Sequence, residues 1–279
     1  NRVSQFFADN AAVYAFDLFN EPLAGLRSLP WTFENPLLRP LYERLIATIR
    51  GNDPQAYIFA EPSMTNQAGF PFVMDPLPDP RIVYEPHVYP FGIGGSAGYS
   101  FGKQALQWFV KKTNDEGVRF AAPAFIGETG ISSDAQNAGD YCRDFADLCD
   151  RYLLHFAWWG FWRDDGSMGL LNADGTDKET FVQYLNRPYP QAVMGRIVAF
   201  AFDVDTALFT LTFANNGTAP PDALIFVPSA RHYTHGFVAT SSDADGAWAQ
   251  SYDATTQILS IAADPNSPTH TITIRPSSD

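Results

Sequence analysis

Five short apolar runs recur through the first part of the chain: 14–19 (YAFDLF), 56–60 (AYIFA), 81–89 (RIVYEPHVY), 123–127 (PAFIG) and 156–162 (FAWWGFW). Each is short, and most are rich in aromatic or β-branched residues, a pattern that predicts strands. Helical periodicity lies between several of them. Residues 36–50 place Leu38, Leu41, Leu45 and Ile49 on one face, with Gly51 as a stop. A second helix is predicted around 102–116 and ended by Gly117. A third, at 135–154, carries Tyr141, Cys142, Phe145, Leu148, Cys149 and Tyr152 on one stripe. The connection from 62 to 81 shows no helical pattern. Strands alternating with helices predict an α/β fold whose parallel strands are buried on both faces.

After Pro188 and Pro190 the texture changes. Short β-rich runs follow at 194–202, 206–213, 223–228, 246–251, 257–262 and 269–275. Asn215-Asn216-Gly217, Asp245-Gly246 and Asp264-Pro265 punctuate them as turn signals. This pattern predicts an all-β sandwich. The expected division is an α/β domain over 1–186 and a sandwich over 187–279.

The 279 residues are 46% hydrophobic and 18% charged, a globular composition. Lys+Arg is 18 against Asp+Glu 31, a net charge of −13. A nucleic-acid partner is therefore not expected, because neutralising phosphates needs a basic face. An anionic membrane surface is disfavoured for the same reason. No apolar run reaches the roughly 18 residues of a membrane span, so no transmembrane segment is predicted. Cys142 and Cys149 stand seven apart in a helical pattern, about 10 Å between Cα atoms, too far for a bridge. They are predicted to be buried thiols.

Chemistry is concentrated where the apolar runs end. Glu21 follows the first run in Asn20-Glu21-Pro22, and Glu128 follows the fourth in Gly127-Glu128-Thr129. Glycosidic bonds are cleaved by two carboxyl groups on opposite sides of the anomeric carbon. Strand ends on a rigid sheet can hold such a pair at a set distance. Asn20 is placed to donate to a sugar hydroxyl beside the reacting carbon. Glu61-Pro62 ends a run in the same way, and reads either as a third active-site acid or as a loop residue.

Other motifs carry less. Gly94-Gly95-Ser96-Ala97-Gly98 has the G-x-S-x-G form of a nucleophile elbow, but the strand before it ends near Tyr89, and the later His155 is expected within a helical stripe. Gly92, Gly94 and Gly98 echo a dinucleotide fingerprint outside an initial βαβ unit. His232 and His235 are two lone candidates for metal in a turn, expected to be surface. Asn216-Gly217-Thr218 is a glycosylation sequon in form only.

Taken in order, these segments resemble glycoside hydrolase family 5. YAFDLFNEPLAG (14–25) resembles its fourth barrel strand, EPHVYPFG (85–92) its sixth, FIGETG (125–130) its seventh and FAWWGFW (156–162) its eighth. LNRPYPQAVMG and the β-rich segment resemble the C-terminal domain of the endoglycoceramidase-like branch. Leu23 departs from the family, which often carries Trp after NEP. The resemblance implies a partial TIM (β/α)8 barrel, with strands equivalent to the fourth to eighth, followed by a β-sandwich. It implies Glu21 as general acid/base and Glu128 as nucleophile oriented by Tyr89. His87 would touch the substrate or the acid/base. Trp159 would be the sugar platform, with Trp158 and Trp162 as rivals on the opposite face of the strand.

The implied activity is a retaining β-glycosidase acting on a carbohydrate or glycolipid, the endoglycoceramidase type releasing glycan from ceramide. A β-glucanase, or a catalytically silent barrel fragment bearing a carbohydrate-binding or scaffold sandwich, are the competing readings. No cofactor or metal is implied, since two carboxylates suffice. No signal peptide opens the chain, and Asn1 falls in a helical pattern. The first three β/α units are expected to be missing or supplied by a partner segment. A secreted location is compatible with the class but is not written in these residues.

Overall fold

The structure is a computed structural model that describes residues 2–25, 29–90, 98–217, 220 and 222–277. Contacts group Asn1–Tyr141 with Leu154–Thr176, and Cys142–Leu153 with Asp177–Asp279. The first unit opens with a short helix, α1 (Arg2–Phe7), and is built on five parallel strands: β1 (Ala15–Asp17), β2 (Tyr57–Ala60), β3 (Ile82–Tyr84), β4 (Phe125–Thr129) and β5 (His155–Trp158). β1, β2 and β3 fall within the apolar runs, β4 extends two residues past its run, and β5 begins one residue before its own. β1, β2 and β3 pair in that order, parallel, with Phe16 opposite Ile58 and Phe59 opposite Val83. β4 pairs with β5. Parallel bridges Tyr84–Ala124 and His87–Glu128 join β3 to β4. Consecutive strands are thus neighbours along one curved sheet, as in successive units of a (β/α) barrel.

Helices fill the connections where the sequence has helical periodicity. A four-residue helix, α2 (Pro30–Phe33), and a π turn over Glu34–Leu38 lead into α3 (Arg39–Arg50). Tyr42, Ile46 and Ile49 turn inward onto Ile58 and Ala60 of β2, in a core completed by Phe72, Met74, Tyr84 and Phe120. α4 runs Gly102–Phe120, past the expected stop at Gly117. The helix ends instead at Ala121, at φ 57°. A Cβ on Gly117 would stand 3.0 Å from both Ala122 O and Ala124 Cβ. Gly117 therefore serves the close approach of helix to β4, not termination. α5 (Ala138–Tyr152) ends at Leu153 with φ 55°. His155 follows as the first residue of β5, stacked on Phe125, rather than within a helical stripe.

The β2–β3 connection has only a 3-10 turn, Met64–Ala68, as its missing periodicity predicts. Two buried carboxylates hold it in place of a helix. Glu34 accepts the N–H groups of Ser63 (3.0 Å) and Val73 (2.6 Å). Glu116 accepts from Phe72 N–H (2.8 Å), Asn66 Nδ2 (3.1 Å) and Tyr84 Oη (2.7 Å). Each satisfies backbone donors that an irregular buried segment would otherwise strand.

The second unit contains α6 (Glu179–Leu185) and eight strands: β6 (Tyr189–Val193), β7 (Gly195–Asp203), β8 (Leu208–Asn215), β9 (Asp222–Phe226), β10 (Phe237–Ser241), β11 (Ala249–Asp253), β12 (Ile258–Ala262) and β13 (Thr269–Pro276). A helical turn, α7 (Ser229–His232), lies between β9 and β10. The strands form two antiparallel sheets, ordered β10-β13-β8-β7 and β11-β12-β9-β6. Phe209, Leu211 and Phe213 alternate inward on β8, and Ile272 and Ile274 do so on β13. That period of two is what packs one sheet on another. β6, β10 and α6 have no counterpart among the predicted elements. β6 and β10 are carried by Tyr-Pro-Gln and Phe-Val-Ala-Thr, too short and mixed to show alternation.

Two buried polar arrangements bear on stability. In the second unit Arg187 Nη2 stands 2.9 Å from Asp150 and 3.1 Å from Asp147, and donates to Phe202 O at 2.7 Å. Burial raises Asp150 to about 7 although Arg187 opposes it. In the first unit Glu85 is 8% exposed, and its side chain takes the room that a Cβ on Gly127 would fill. Burial, then the charges of Asp17 and Glu128, push Glu85 from 4.5 up to about 8.

Arg187→Ala is expected to destabilise by about 3–5 kcal/mol at neutral pH, read from the denaturant midpoint, because it leaves a buried carboxyl unpaired. For Glu85 the folded chain keeps a proton that the unfolded chain has released between 4.5 and about 8. Its contribution is therefore complete below that window and is lost as pH rises through it. Glu85→Gln is expected to leave the melting temperature nearly unchanged at about pH 5 and to raise it at about pH 9. An equal shift at both would refute the buried-acid account.

Candidate active site

The C-terminal ends of the strands deliver the polar groups. Beyond Asp17, Leu18 N–H still donates to Phe59 O (3.2 Å), which carries the chain forward to Asn20 and Glu21. Glu21 takes φ 46°, the left-handed region that a non-glycine residue enters at a cost of about 1–2 kcal/mol. Its N–H donates to Glu61 Oε2 at 2.8 Å, which helps to hold that backbone. Val88 N–H donates to Glu128 O (2.8 Å), so the segment after β3 continues pairing beside β4 and brings His87 and Tyr89 against Glu128.

The side chains converge. His87 Nδ1 lies 2.9 Å from Glu21 Oε1 and 3.5 Å from Glu128 Oε2, and His87 Nε2 lies 3.4 Å from Glu61 Oε1. Tyr89 Oη donates to Glu128 Oε2 at 3.0 Å. Burial, then the Glu128 charge, holds the Tyr89 hydroxyl far above its ordinary value, so it stays a donor. Gln67 Nε2 donates to Glu21 Oε1 at 2.6 Å. Oxygens of Glu21 and Glu128 lie within 4.8 Å of each other. Two carboxyl groups so close face the same small volume, the spacing that lets one attack a carbon while the other protonates its leaving group.

Trp159 is 48% exposed, and its N–H donates to Thr129 O (2.8 Å), next to Glu128. Its ring meets Trp162 edge-on at 5.6 Å. The rivals are occupied elsewhere: Trp158 Nε1 donates to Met168 O (2.8 Å), and the Trp162 ring fills the space above Gly160. Asn20 is exposed beside Glu21.

A second cluster adjoins this group through Glu61. Carboxylate oxygens of Asp17, Glu61 and Glu85 are all within 4.8 Å of one another. Glu61 is 2% exposed, so it is no surface loop residue. Burial, and then the charges of Asp17, Glu85 and Glu21, push Glu61 up to about 9 against the opposing N–H of Glu21. Asp17 is also raised, chiefly by burial of its carboxyl, though the residue as a whole is exposed. Glu21, His87 and Glu128 are near enough to share an ion, as are Asp17, Glu61 and Glu85.

Sequence reasoning missed Gln67, Asp17 and Glu85 as neighbours of the site. Gln67 sits in the irregular stretch, where no periodicity marks it. Asp17 and Glu85 did leave a signal, a lone acid inside or at the end of an apolar run. Gly94–Ala97 of the G-x-S-x-G motif and Thr218 of the sequon lie outside the described residues. His232 is half-buried, with Nε2 2.8 Å from Asn186 O, and is not the surface residue expected. Cys142 and Cys149 are buried free thiols, and burial raises both. No described helix is long and apolar enough to cross a membrane.

Known proteins share this fold. The solved endo-glycoceramidase II from Rhodococcus sp., in its ganglioside GM3 complex, superposes with TM-score 0.83 at 25% identity, covering 99% of this chain and 62% of that one. A Cryptococcus neoformans sterylglucosidase 1 shares the fold at TM-score 0.68 and 13% identity, over 88% of this chain and 45% of its own. Among curated sequences, endoglycoceramidases of Hydra vulgaris and Cyanea nozakii are each 25% identical, over 85% and 86% of this chain. The chain spans 46% and 49% of their lengths, about half of each. Residues 1–165 match the family model for cellulase (glycosyl hydrolase family 5), and 187–275 match that for the glycoside hydrolase family 5 C-terminal domain. Both matches point to one family and between them leave little of the sequence uncovered: the chain belongs to glycoside hydrolase family 5.

Proposed function

We propose that this chain carries the catalytic pair of a retaining β-glycosidase that acts on glycolipids. The observation that supports it most is the approach of Glu21 and Glu128 oxygens to within 4.8 Å. Inverting enzymes need carboxyl groups about 6.5–9.5 Å apart to admit a water, whereas retaining ones keep them about 5–5.5 Å apart. The close approach of the Glu21 and Glu128 oxygens favours the shorter, retaining spacing.

In this reading Glu128 attacks the anomeric carbon while Glu21 protonates the departing oxygen. The glycosyl–Glu128 ester is then hydrolysed by water that Glu21 deprotonates. Tyr89 keeps one Glu128 oxygen engaged and leaves the other for attack. Asn20 donates to a sugar hydroxyl, and the exposed face of Trp159 carries the ring. The glycolipid preference is inferred from the endoglycoceramidase relatives and from the endo-glycoceramidase solved with a ganglioside.

Glu128→Gln is expected to lower turnover of a chromogenic β-lactoside by more than about 10³-fold while leaving circular dichroism unchanged. Near-wild-type turnover would exclude Glu128 as nucleophile. In a substrate panel, gangliosides are expected to be cleaved faster than glucosylceramide, sterol glucoside or soluble glucans, with the β configuration kept in the NMR of the first product. Preference for glucans would move the reading to a β-glucanase. A folded chain with no turnover on any of them would make it a silent fragment.

A further inference from the structure

Glu61 is a buried acid in direct contact with Glu21 to which the reaction above gives no part. Its two oxygens face two different partners. Oε2 accepts the Glu21 N–H at 2.8 Å. Oε1 lies 3.4 Å from His87 Nε2. On the other side of the same ring, Nδ1 lies 2.9 Å from Glu21 Oε1. We propose that Glu61 is a positioning residue: as a neutral acid it donates to His87 Nε2, which makes His87 present an Nδ1–H to Glu21, while its other oxygen holds the Glu21 backbone. The inference rests on the glycosidase reading for its catalytic consequence, but not for its geometry.

Three observations favour the neutral acid. Asp17 on β1, Glu85 after β3 and Glu61 after β2 share one cluster within 4.8 Å, and among the described residues no Lys or Arg pairs with them. Three negative charges at that spacing cannot all persist, so at least one proton stays. Glu61 is the most enclosed of the three, at 2% exposure. Burial and its acidic neighbours also move it upward, in the same direction. The remaining groups facing it are Glu21 and His87, while Tyr42 Oη bonds only its backbone carbonyl, at 3.0 Å.

The tautomer has a consequence for Glu21. Its Oε1 would receive two donors, Gln67 Nε2 at 2.6 Å and His87 Nδ1 at 2.9 Å. An oxygen accepting two N–H groups is the poorer seat for the acid proton. The proton that Glu21 transfers would then sit on Oε2. Glu61 also supplies an acceptor for the N–H of a residue held at φ 46°. Losing it would let the carboxyl rotate away from the reacting oxygen.

Glu61→Gln and Glu61→Leu separate this from a purely structural role. A glutamine side chain can donate through its amide and accept through its oxygen, so it preserves both contacts; leucine makes neither. With a chromogenic β-lactoside, Glu61→Gln is expected to keep kcat within about 3-fold, and Glu61→Leu to lower it by about 10–100-fold with KM little changed, part of the roughly 10²–10⁴-fold that a placed proton donor supplies. Equal losses in the two, both folded by circular dichroism, would overturn the proposal. Long-range ¹H–¹⁵N NMR of the wild-type chain reads the His87 ring without turnover. A protonated Nδ1 with an accepting Nε2 supports the proposal; the opposite tautomer, or a ring protonated at both nitrogens, overturns it. Failure of the glycosidase reading would show instead as absent turnover in the wild type, with the ring result still decisive.

Discussion

The candidate site depends on one ring. His87 stands between Glu21, Glu128 and Glu61, at 2.9, 3.5 and 3.4 Å from their oxygens. Carboxyl groups crowded around a small volume repel one another wherever they are ionised, and an imidazole between them offsets part of that repulsion by hydrogen bonding. With Tyr89 and Gln67 adding further O–H and N–H groups, the two candidate glutamates are held by neighbouring side chains. Without such neighbours, side chains with free rotation would not keep a sub-5 Å approach.

That constraint reaches down into the sheet. Parallel pairing of β1, β2, β3, β4 and β5 sends every strand the same way, so acids at their C-terminal ends arrive on one side. The neighbouring acids Asp17, Glu61 and Glu85 bring oxygens within 4.8 Å of one another. Their raised protonation stabilises the fold at lower pH and weakens it as pH rises. The neutral form thus connects the stability of this region with the proton that Glu61 offers to His87.

Much of the architecture was legible because periodicity follows burial. All five parallel strands overlap the apolar runs, and the sandwich follows from alternation in β8, β12 and β13. Misreadings came where one residue type serves two purposes. Gly117 looked like a helix stop, yet it is there for the contact with Ala122 and Ala124. His155 looked helical because the stripe before it runs on without a break, and only the left-handed turn at Leu153 separates the two. α6 and two strands of the sandwich were too short for a period to register.

By itself, the sequence determined where the five parallel strands and most of the sandwich strands form, which strand ends carry acids, and that Glu21, Glu128, His87, Tyr89, Asn20 and Trp159 were the side chains to watch. These are consequences of local pattern and of a motif order that can be read along one dimension. Tertiary structure alone decided that Glu21 and Glu128 come within 4.8 Å, that Gln67 reaches Glu21 from a stretch with no periodicity, and that Glu61 is buried rather than exposed. The reason is that distances across a sheet, and the desolvation that shifts an acid, arise from residues forty or more positions apart, and no local window of sequence contains both partners.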